Sequence, residues 1–499
     1  MRSLQFTIAK NALANVVRGG ASAVVAIVLP HFLTHSLGSD RFAGWALMLQ
    51  LAAYANYLDF GLQTAVARYL AAALEKHHDQ RRDRLFSNAL AILGVAGTLA
   101  IGGFGFAAWQ LPHLFHSIPV AFAGEIGRGL LILGVAAALG LPLSVYTGVL
   151  IGMQRNEFPA IAIAASRLFG AMAVILVAQH THSLAWLALC IGGCNLLAGI
   201  VQWIMVKKLL PALRFSVAFL DRAMTSELIR YCSTLSVWSF AMLLVSGLDV
   251  TIVGLFNFQA VGAYSIAVTL IMFFTGLNAA AFSAMLAPIA VLQARQDYSR
   301  IRHLVLVTTR LNSYASMGGI VVAFLFGRAL VRLWVGPSYL ALTLPVLEIL
   351  LVAQTIRLVG SAYGTALLSM GLQRYGIISA LVEGVSNLLL SVLGMVFIGA
   401  VGVAWATLIA ALIGLAVITF GVLPRIRELS ISPSRFIQQG IIIPFLPFVP
   451  FCLWVLWRHW YESRTNLANV FSIVSASLVL LLTISLLHRG INGVRDSSS

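Results

Sequence analysis

The sequence has little charge. Only 10% of its 499 residues are acidic or basic, whereas 60% are apolar. Soluble domains carry about 25% charged residues, so the composition excludes a large water-soluble domain. Cysteine is also scarce: the four cysteines lie within apolar stretches and lack the spacing of zinc ligands. We therefore interpret them as small core residues rather than as a disulfide framework or a metal site.

Enzyme motifs are absent too. The chain has no phosphate-binding Gly-Lys-Ser/Thr loop, which excludes ATP as its own energy source. The longest outer connections between apolar stretches, 110–125 and 328–344, are too short for a folded catalytic domain. The histidines in the outer connections form no ligand cluster. We expect neither an enzyme nor a metal site.

Apolar stretches of about twenty residues, the length that crosses a ~30 Å hydrocarbon core, recur along the sequence. Backbone groups in lipid must pair within their own segment, so these stretches are predicted to be helices. The predicted fold class is an all-α polytopic membrane protein with about fourteen transmembrane helices. The predicted spans lie near 11–33, 42–74, 85–109, 126–150, 158–178, 183–206, 231–256, 260–292, 303–327, 345–370, 376–397, 401–423, 438–457 and 467–487.

The formal net charge of +16 does not indicate a nucleic-acid partner. Most of the 32 lysines and arginines lie in short connections on one side of the predicted membrane, which is the pattern of cytoplasmic loops. An even number of spans brings both ends of the chain to the same side. The charge pattern therefore predicts cytoplasmic N- and C-termini and no nucleic acid.

An internal repeat divides the chain. GMQRN (152–156) matches GLQRY (371–375), and SLAWLAL (183–189) matches GVAWATL (402–408) at the same offset. Because each copy holds an even number of spans, the two six-helix lobes are predicted to run parallel and to face a central cavity. The predicted division is an N-lobe (1–206), a cytoplasmic amphipathic linker (207–230), a C-lobe (231–437), and a last helix pair with the tail (438–499).

Arginines within the spans are the first candidate site residues, because charge at membrane depth is costly and marks function. They are Arg18, Arg68, Arg167, Arg310 and Arg357, all in the predicted cytoplasmic half or near the middle. A guanidinium is permanently charged and its planar fork suits phosphate oxygens. We predict a cationic substrate cavity. The alternatives are snorkelling for Arg18, Arg68 and Arg310, and pairing with an acid for Arg167 and Arg357.

Acidic residues within the spans are fewer. Asp59, Asp249 and Glu383 are candidates either for carrying a coupling proton or sodium ion, or for structural pairing with an arginine. The sequence leaves both roles open.

The second span resembles the opening of bacterial polysaccharide flippases, the O-antigen and exopolysaccharide translocases of the multidrug/oligosaccharidyl-lipid/polysaccharide exporter superfamily. The residues that carry this resemblance are Gly44, Trp45, Tyr57, Asp59, Gly61, Leu62 and Arg68. The two repeated turns and GAVGVAWATL (399–408) are also similar to that family. The resemblance covers about residues 10–425, and its motifs are diffuse rather than diagnostic.

This resemblance implies a flippase of the bacterial inner membrane that carries an oligosaccharide on undecaprenyl pyrophosphate from the cytoplasmic to the periplasmic leaflet. It implies an ion gradient or the membrane potential as the drive, and polysaccharide polymerase and export machinery as partners besides membrane lipids. Rival interpretations are a multidrug exporter or a lipid II flippase of the same superfamily. A polytopic glycosyl polymerase or ligase would need a substantial outer loop, which this sequence lacks. A major facilitator transporter would need a Gly-Asp-Arg-type turn after the second span, where this sequence instead reads EKHHDQRRDR (75–84).

Overall fold

The computed structural model describes residues 2–283, 286–426 and 428–453. Within these ranges the chain is helical, without a β-strand, and twelve helices are long and apolar enough to cross a membrane. The principal helices are α1 (Arg2–Leu37), α2 (Ser39–Ala53), α3 (Leu62–Glu75), α4 (Asp79–Leu114), α5 (Val120–Gly152), α6 (Glu157–His180), α7 (Leu184–Leu209), α8 (Arg222–Met242), α9 (Asp249–Phe256), α10 (Phe258–Ser283), α11 (Leu286–Ala294), α12 (Tyr298–Trp334), α13 (Leu340–Ser369), α14 (Gln373–Ile398) and α15 (Ala400–Ala416). The predicted class, an all-α polytopic membrane protein, is confirmed.

The count of fourteen spans stays a prediction. The predicted second span, 42–74, is formed by α2, a 3-10 turn at Tyr54–Asp59 and α3 rather than by one continuous helix. The predicted thirteenth span begins as a series of short helical segments within Pro433–Leu453. The predicted last span, 467–487, lies outside the described residues.

The chain forms two compact units. Unit 1 consists of Met1–Leu243 and Gly247–Ser265, and unit 2 takes in Leu244–Ser246 and the chain from Ile266 onward. Helix α8, which the sequence analysis places largely in the C-lobe, belongs to unit 1 by its contacts. The predicted lobes, 1–206 and 231–437, divide the chain by membrane topology rather than by contacts, and their boundaries stay a prediction.

In unit 1 the core lies where α3, α4, α5 and α8 meet. Buried side chains from each helix pack there, including Leu70, Phe86, Val145 and Leu228. Helix α5 approaches α3 through a small-residue face: a Cβ at Gly148 would lie 2.7 Å from the carbonyl oxygen of Gln63. Such close backbone approach is how membrane helices gain packing energy without a hydrophobic driving force.

The connection after α7 is bound to α4 by hydrogen bonds. The buried Arg82 guanidinium donates to the carbonyl of Ala212 at 3.1 Å, and Asn88 Nδ2 donates to the carbonyl of Phe219 at 3.0 Å. Asn88 Oδ1 accepts from the N–H of Asp221 at 3.1 Å and from the hydroxyl of Thr225 at 2.7 Å. The first turn of α8 is therefore fixed against α4 at Asn88.

In unit 2 the core lies between α12, α13 and the segments after α15. Ile301, Tyr363 and Phe436 are fully buried in it, and the last two rings meet edge to face at 6.4 Å. Helix α12 begins after Asp297, whose carboxylate accepts the N–H of Arg300 at 3.1 Å. That bond, with a second from the Ser299 hydroxyl, lowers the pKa of Asp297, since both favour the charged form.

Candidate functional site

The second span is interrupted where the family-like motif lies. Phe60 and Gly61 are both left-handed, with φ of 51° and 75°, and they end the helical run after Asp59. The Asp59 carboxylate accepts the N–H of Gln63 and the hydroxyl of Ser144, each at 3.4 Å. It thus stands at the N-terminus of α3, where a negative charge is favourable. Interrupted helices in membrane proteins form binding sites, because their freed backbone groups need partners or a wet cavity.

Arg18 and Arg167 lie together in unit 1. Helix α1 packs on α6, and the Arg167 guanidinium donates to the hydroxyl of Ser22, one turn beyond Arg18. The same hydroxyl donates to the carbonyl of Arg18 at 2.8 Å. The Arg167 guanidinium is thus joined to the backbone of Arg18 through one hydroxyl, and both arginine side chains are exposed. Within the described residues, neither forms an ion pair with a carboxylate.

Arg68 lies apart from that pair. Its guanidinium carbon is 5.3 Å from the ring centroid of Tyr231 on α8, and Tyr231 packs edge to face on Tyr69 at 5.6 Å. A cation–π contact of this kind contributes about 0.5–1 kcal/mol at an exposed site. In the described part of the chain, Arg68 has an aromatic neighbour and no carboxylate partner, so its exposed guanidinium can still bind a ligand.

Arg310 and Arg357, in unit 2, differ in their surroundings. Arg310 is half-buried and donates to Gln439 Oε1 at 3.3 Å, so it keeps its net charge. Arg357 pairs with Glu383 at 2.6 Å between Nε and Oε1, and its second nitrogen donates to the carbonyl of Val245 at 2.9 Å. Of the two alternatives left open for Arg357, the structure shows the ion pair.

Glu383 is held in place by its neighbours on α15 and α14. A Cβ at Gly414 would collide with the Glu383 carboxylate, so glycine there makes room for the ion pair. One turn along α14, Asn387 Nδ2 donates to the same carbonyl of Val245 at 3.0 Å. Val245 lies in a π-helical turn, Leu243–Gly247, whose spacing frees carbonyls from their usual partners.

Asp249 follows that π-turn and is buried at the start of α9, in unit 1. The Tyr54 hydroxyl donates to the carbonyl of Gly247 at 2.9 Å and also bonds to the hydroxyl of Thr251. Gln50 donates to the Gly247 carbonyl at 2.7 Å. Gln50, Tyr54 and Thr251 thus form a hydrogen-bonded polar cluster around the Gly247 carbonyl, two residues before Asp249.

The structure thus brings together Arg18 with Arg167, and Arg357 with Glu383. Asp59, Arg68, Arg310 and Asp249 each occupy separate surroundings, and no group of three potential metal ligands occurs in the described part of the chain. Sequence analysis missed the polar partners Ser22, Gln50, Tyr54 and Asn387. The sequence carries a signal for Gln50, Tyr54 and Asn387, because a spacing of four residues places two side chains on one helix face. Gln50 and Tyr54 have this spacing, and so do Glu383 and Asn387.

Comparison with solved structures shows a shared fold. The inward closed conformation of the lipid II flippase MurJ matches with a TM-score of 0.72 at 12% identity, over 96% of this chain and 99% of that one. An inward-facing multidrug resistance MATE family transporter of the MOP superfamily matches with a TM-score of 0.60 at 16% identity, over 84% and 95%. A MATE transporter of Vibrio cholerae matches with a TM-score of 0.61 at 14% identity, over 86% and 99%.

Sequence comparison gives the family. No curated protein sequence matches the chain significantly. The family described as polysaccharide biosynthesis protein matches residues 8–292, more than half of the chain and including the interrupted span and both members of the Arg18–Arg167 pair. The resemblance found in the motifs is therefore confirmed at the level of the family. The chain belongs to the polysaccharide biosynthesis protein family.

Proposed function

We propose that this multi-pass membrane protein is a flippase that turns undecaprenyl-pyrophosphate-linked oligosaccharide repeat units from the cytoplasmic to the periplasmic leaflet by alternating access. The family and the fold support a flippase or transporter role rather than an enzyme. The observation that carries the finer proposal is the Arg18–Ser22–Arg167 cluster. The Arg167 guanidinium donates to the Ser22 hydroxyl, the same hydroxyl donates to the backbone carbonyl of Arg18, and neither arginine has an acidic partner among the described residues.

A diphosphate is the chemistry that this cluster fits. Each guanidinium can bind two phosphate oxygens at once, and two like charges held close together are stabilised by a ligand of charge about −2. Bringing Arg18 and Arg167 together without an anion costs free energy through their repulsion. The pyrophosphate of a lipid-linked sugar would remove that cost, whereas a cationic drug would increase it. This argues against the multidrug exporter.

A lipid II flippase remains the nearest rival, because its substrate also carries a pyrophosphate and MurJ has the same fold. The family match, which is to polysaccharide biosynthesis, favours the repeat unit. A polytopic polymerase or ligase is disfavoured because the outer connections are short.

The test uses purified protein in sealed proteoliposomes with a fluorescent undecaprenyl-pyrophosphate oligosaccharide. Accessibility of the sugar to an external enzyme measures flipping. We expect Arg18→Ala and Arg167→Ala each to slow flipping about tenfold, since a hydrogen bond to a charged group is lost. Arg374→Ala is the matched control, because Arg374 is exposed and stacks only on the neighbouring Tyr375.

Unchanged flipping in the double variant Arg18→Ala/Arg167→Ala would exclude these two arginines as the substrate-binding site. Flipping of lipid II at the same rate as the repeat unit would overturn the assignment of substrate. Absence of flipping under ion gradients of either kind would favour the drug-exporter alternative.

For coupling, we propose that Asp59 carries the proton or sodium ion. Glu383 is already neutralised by Arg357, whereas Asp59 accepts only two long hydrogen bonds and forms no ion pair among the described residues. Its place in the interrupted span lets a change in its charge act directly on the start of α3. The proposed setting is the bacterial inner membrane with both termini in the cytoplasm, where polymerase and export machinery would receive the product.

A further inference from the structure

A polar cavity lies at the start of α4, outside the cluster described above. Its volume is about 510 Å³, and its lining carries charges of both signs: Arg81 and Arg84 against Asp79 and Asp221. Arg81 also pairs with Glu227, and one oxygen of the mostly exposed Asp79 carboxylate pairs with Arg82. Arg84 approaches Asp221 only to 3.8 Å, so much of its hydrogen-bonding capacity remains free. The cavity can therefore take a ligand that itself carries both a negative and a positive group.

An apolar groove continues from this cavity along α4. Its volume is about 420 Å³; Asp221 lines both spaces, which makes them neighbours. The walls of the groove are Ile92 and Val95 on α4 and Leu220 on the connection, together with Ala91. Val95 is 62% exposed although it lies well inside a membrane-crossing helix, so it faces lipid.

The groove is a consequence of the hydrogen bonds at Asn88. These bonds hold Phe219, Asp221 and Thr225 against the polar end of α4. Beyond Asn88, no hydrogen bond joins α4 to this connection in the described structure. Ile92 and Val95 on this face of α4 therefore stay partly or fully exposed. From Arg84 to Val95 the helix rises about 16 Å, which spans a headgroup and the first part of an acyl chain.

We propose that the two spaces together bind one phospholipid whose headgroup carries a phosphate and a primary ammonium. The phosphate binds the guanidinium fork of Arg84, the ammonium binds the carboxylates of Asp79 and Asp221, and an acyl chain lies along Ile92, Val95 and Leu220. The mixed charge of the lining selects this zwitterion over a purely anionic lipid. The site does not depend on the transported substrate.

The test is photolabelling of the full-length protein in lipid nanodiscs with a phosphatidylethanolamine that carries a diazirine in its acyl chain. Mass spectrometry of the digested protein locates the label. We expect label on the peptides that contain 88–95 and 220–225. Val95→Trp fills the groove and should remove this label, whereas Leu99→Trp, one turn further on the same lipid-facing helix and outside the groove, should not.

The headgroup is tested separately. Arg84→Gln should reduce the label about tenfold, the change expected when one charge-assisted hydrogen bond is lost, and Arg374→Gln should leave it unchanged. A phosphatidylglycerol probe with the same acyl chain should label the groove less. Equal labelling by both probes would overturn the headgroup assignment, and label spread evenly over the lipid-facing helices would overturn the site. Should Val95→Trp not fold, Leu220→Trp fills the groove from the opposite wall.

Discussion

Arg357 and Glu383 form an ion pair with little access to water, their side chains being 16% and 13% exposed. Removing two charges from water costs several kcal/mol for each ion, and their mutual attraction offsets this cost only when the remaining donors are also used. Here the second nitrogen of Arg357 is used by the carbonyl of Val245. The pair is therefore a structural group of unit 2, and its charge is not available to a substrate anion.

Replacing one partner of this pair is expected to be costly. Arg357→Ala should lower the free energy of unfolding by about 3 kcal/mol, because it leaves Glu383 charged and unpaired. Thermal unfolding in detergent measures the effect. The double variant Arg357→Met/Glu383→Leu should unfold close to the wild-type temperature, since both charges are then gone. A loss in the double variant as large as in Arg357→Ala would contradict this account.

Asp59 is expected to behave differently. Asp59→Asn keeps its shape and can still accept the N–H of Gln63, so stability should change little. Flipping in proteoliposomes should lose its dependence on the driving ion gradient if this carboxylate carries the ion. Glu383→Gln, in contrast, should weaken stability. An Asp59→Asn variant that still responds to both proton and sodium gradients would exclude Asp59 from coupling.

At the scale of single residues, the sequence indicates candidate residues but not the residues that they contact. The depth of each arginine in the membrane follows from its position along an apolar stretch, and this depth makes Arg18 and Arg167 candidates for a substrate cavity. Their proximity depends on how α1 packs on α6, and the pairing of Arg357 depends on α13 and α14. A single sequence does not reveal contacts between helices, although it does indicate Glu383 as a candidate for pairing with an arginine.

Among the elements, the interrupted second span shows what the sequence does not predict. The run 42–74 is mostly apolar and predicts a single helix, yet the structure turns it at Phe60 and Gly61. Gly61 alone does not signal a break, because glycine is frequent in membrane helices. The break is stabilised by tertiary contacts: Ser144 of α5 bonds Asp59, and Leu235 of α8 packs directly on Gly61.

Gly61 is the position at which this break can be tested. A Cβ there would lie 2.7 Å from Leu235 Cδ1, and φ is positive, so Gly61→Ala combines strain with overpacking. We expect a loss of about 2 kcal/mol in the free energy of unfolding. Gly103→Ala is the control, since a Cβ at Gly103 on α4 meets nothing within 4 Å. Equal behaviour of the two variants in thermal unfolding would argue against a tightly packed break.

For the whole molecule, the apolar stretches predicted an all-helical membrane protein, and the internal repeat predicted two lobes. The helical class is confirmed, and the family follows from the sequence match. The distribution of helices between the two units could not be read from the repeat. Helix α8 joins unit 1 because Asn88, Arg81 and Tyr69 of the preceding helices hold its first turns.

The predicted orientation is tested by cysteine labelling. In a variant without the four native cysteines, His77→Cys and His182→Cys place single thiols in exposed connections on opposite predicted sides. In intact cells a membrane-impermeant maleimide should label only His182→Cys, and permeabilised cells should show both. A tag at the C-terminus should share the side of position 77 if the span count is even. The reverse labelling pattern would refute the positive-inside assignment.

The break at Phe60 and Gly61 also has a consequence for how the protein is made. A ribosome completes the second span well before it synthesises α8, so during that interval Leu235 is not available to cover Gly61. The freed backbone groups at the break would then face lipid without their final partners, which is unfavourable. The second span should therefore enter the bilayer as a continuous helix, or wait beside the insertion machinery, and acquire its break only when α8 arrives. Nascent chains truncated between α7 and α8 would reveal that earlier form.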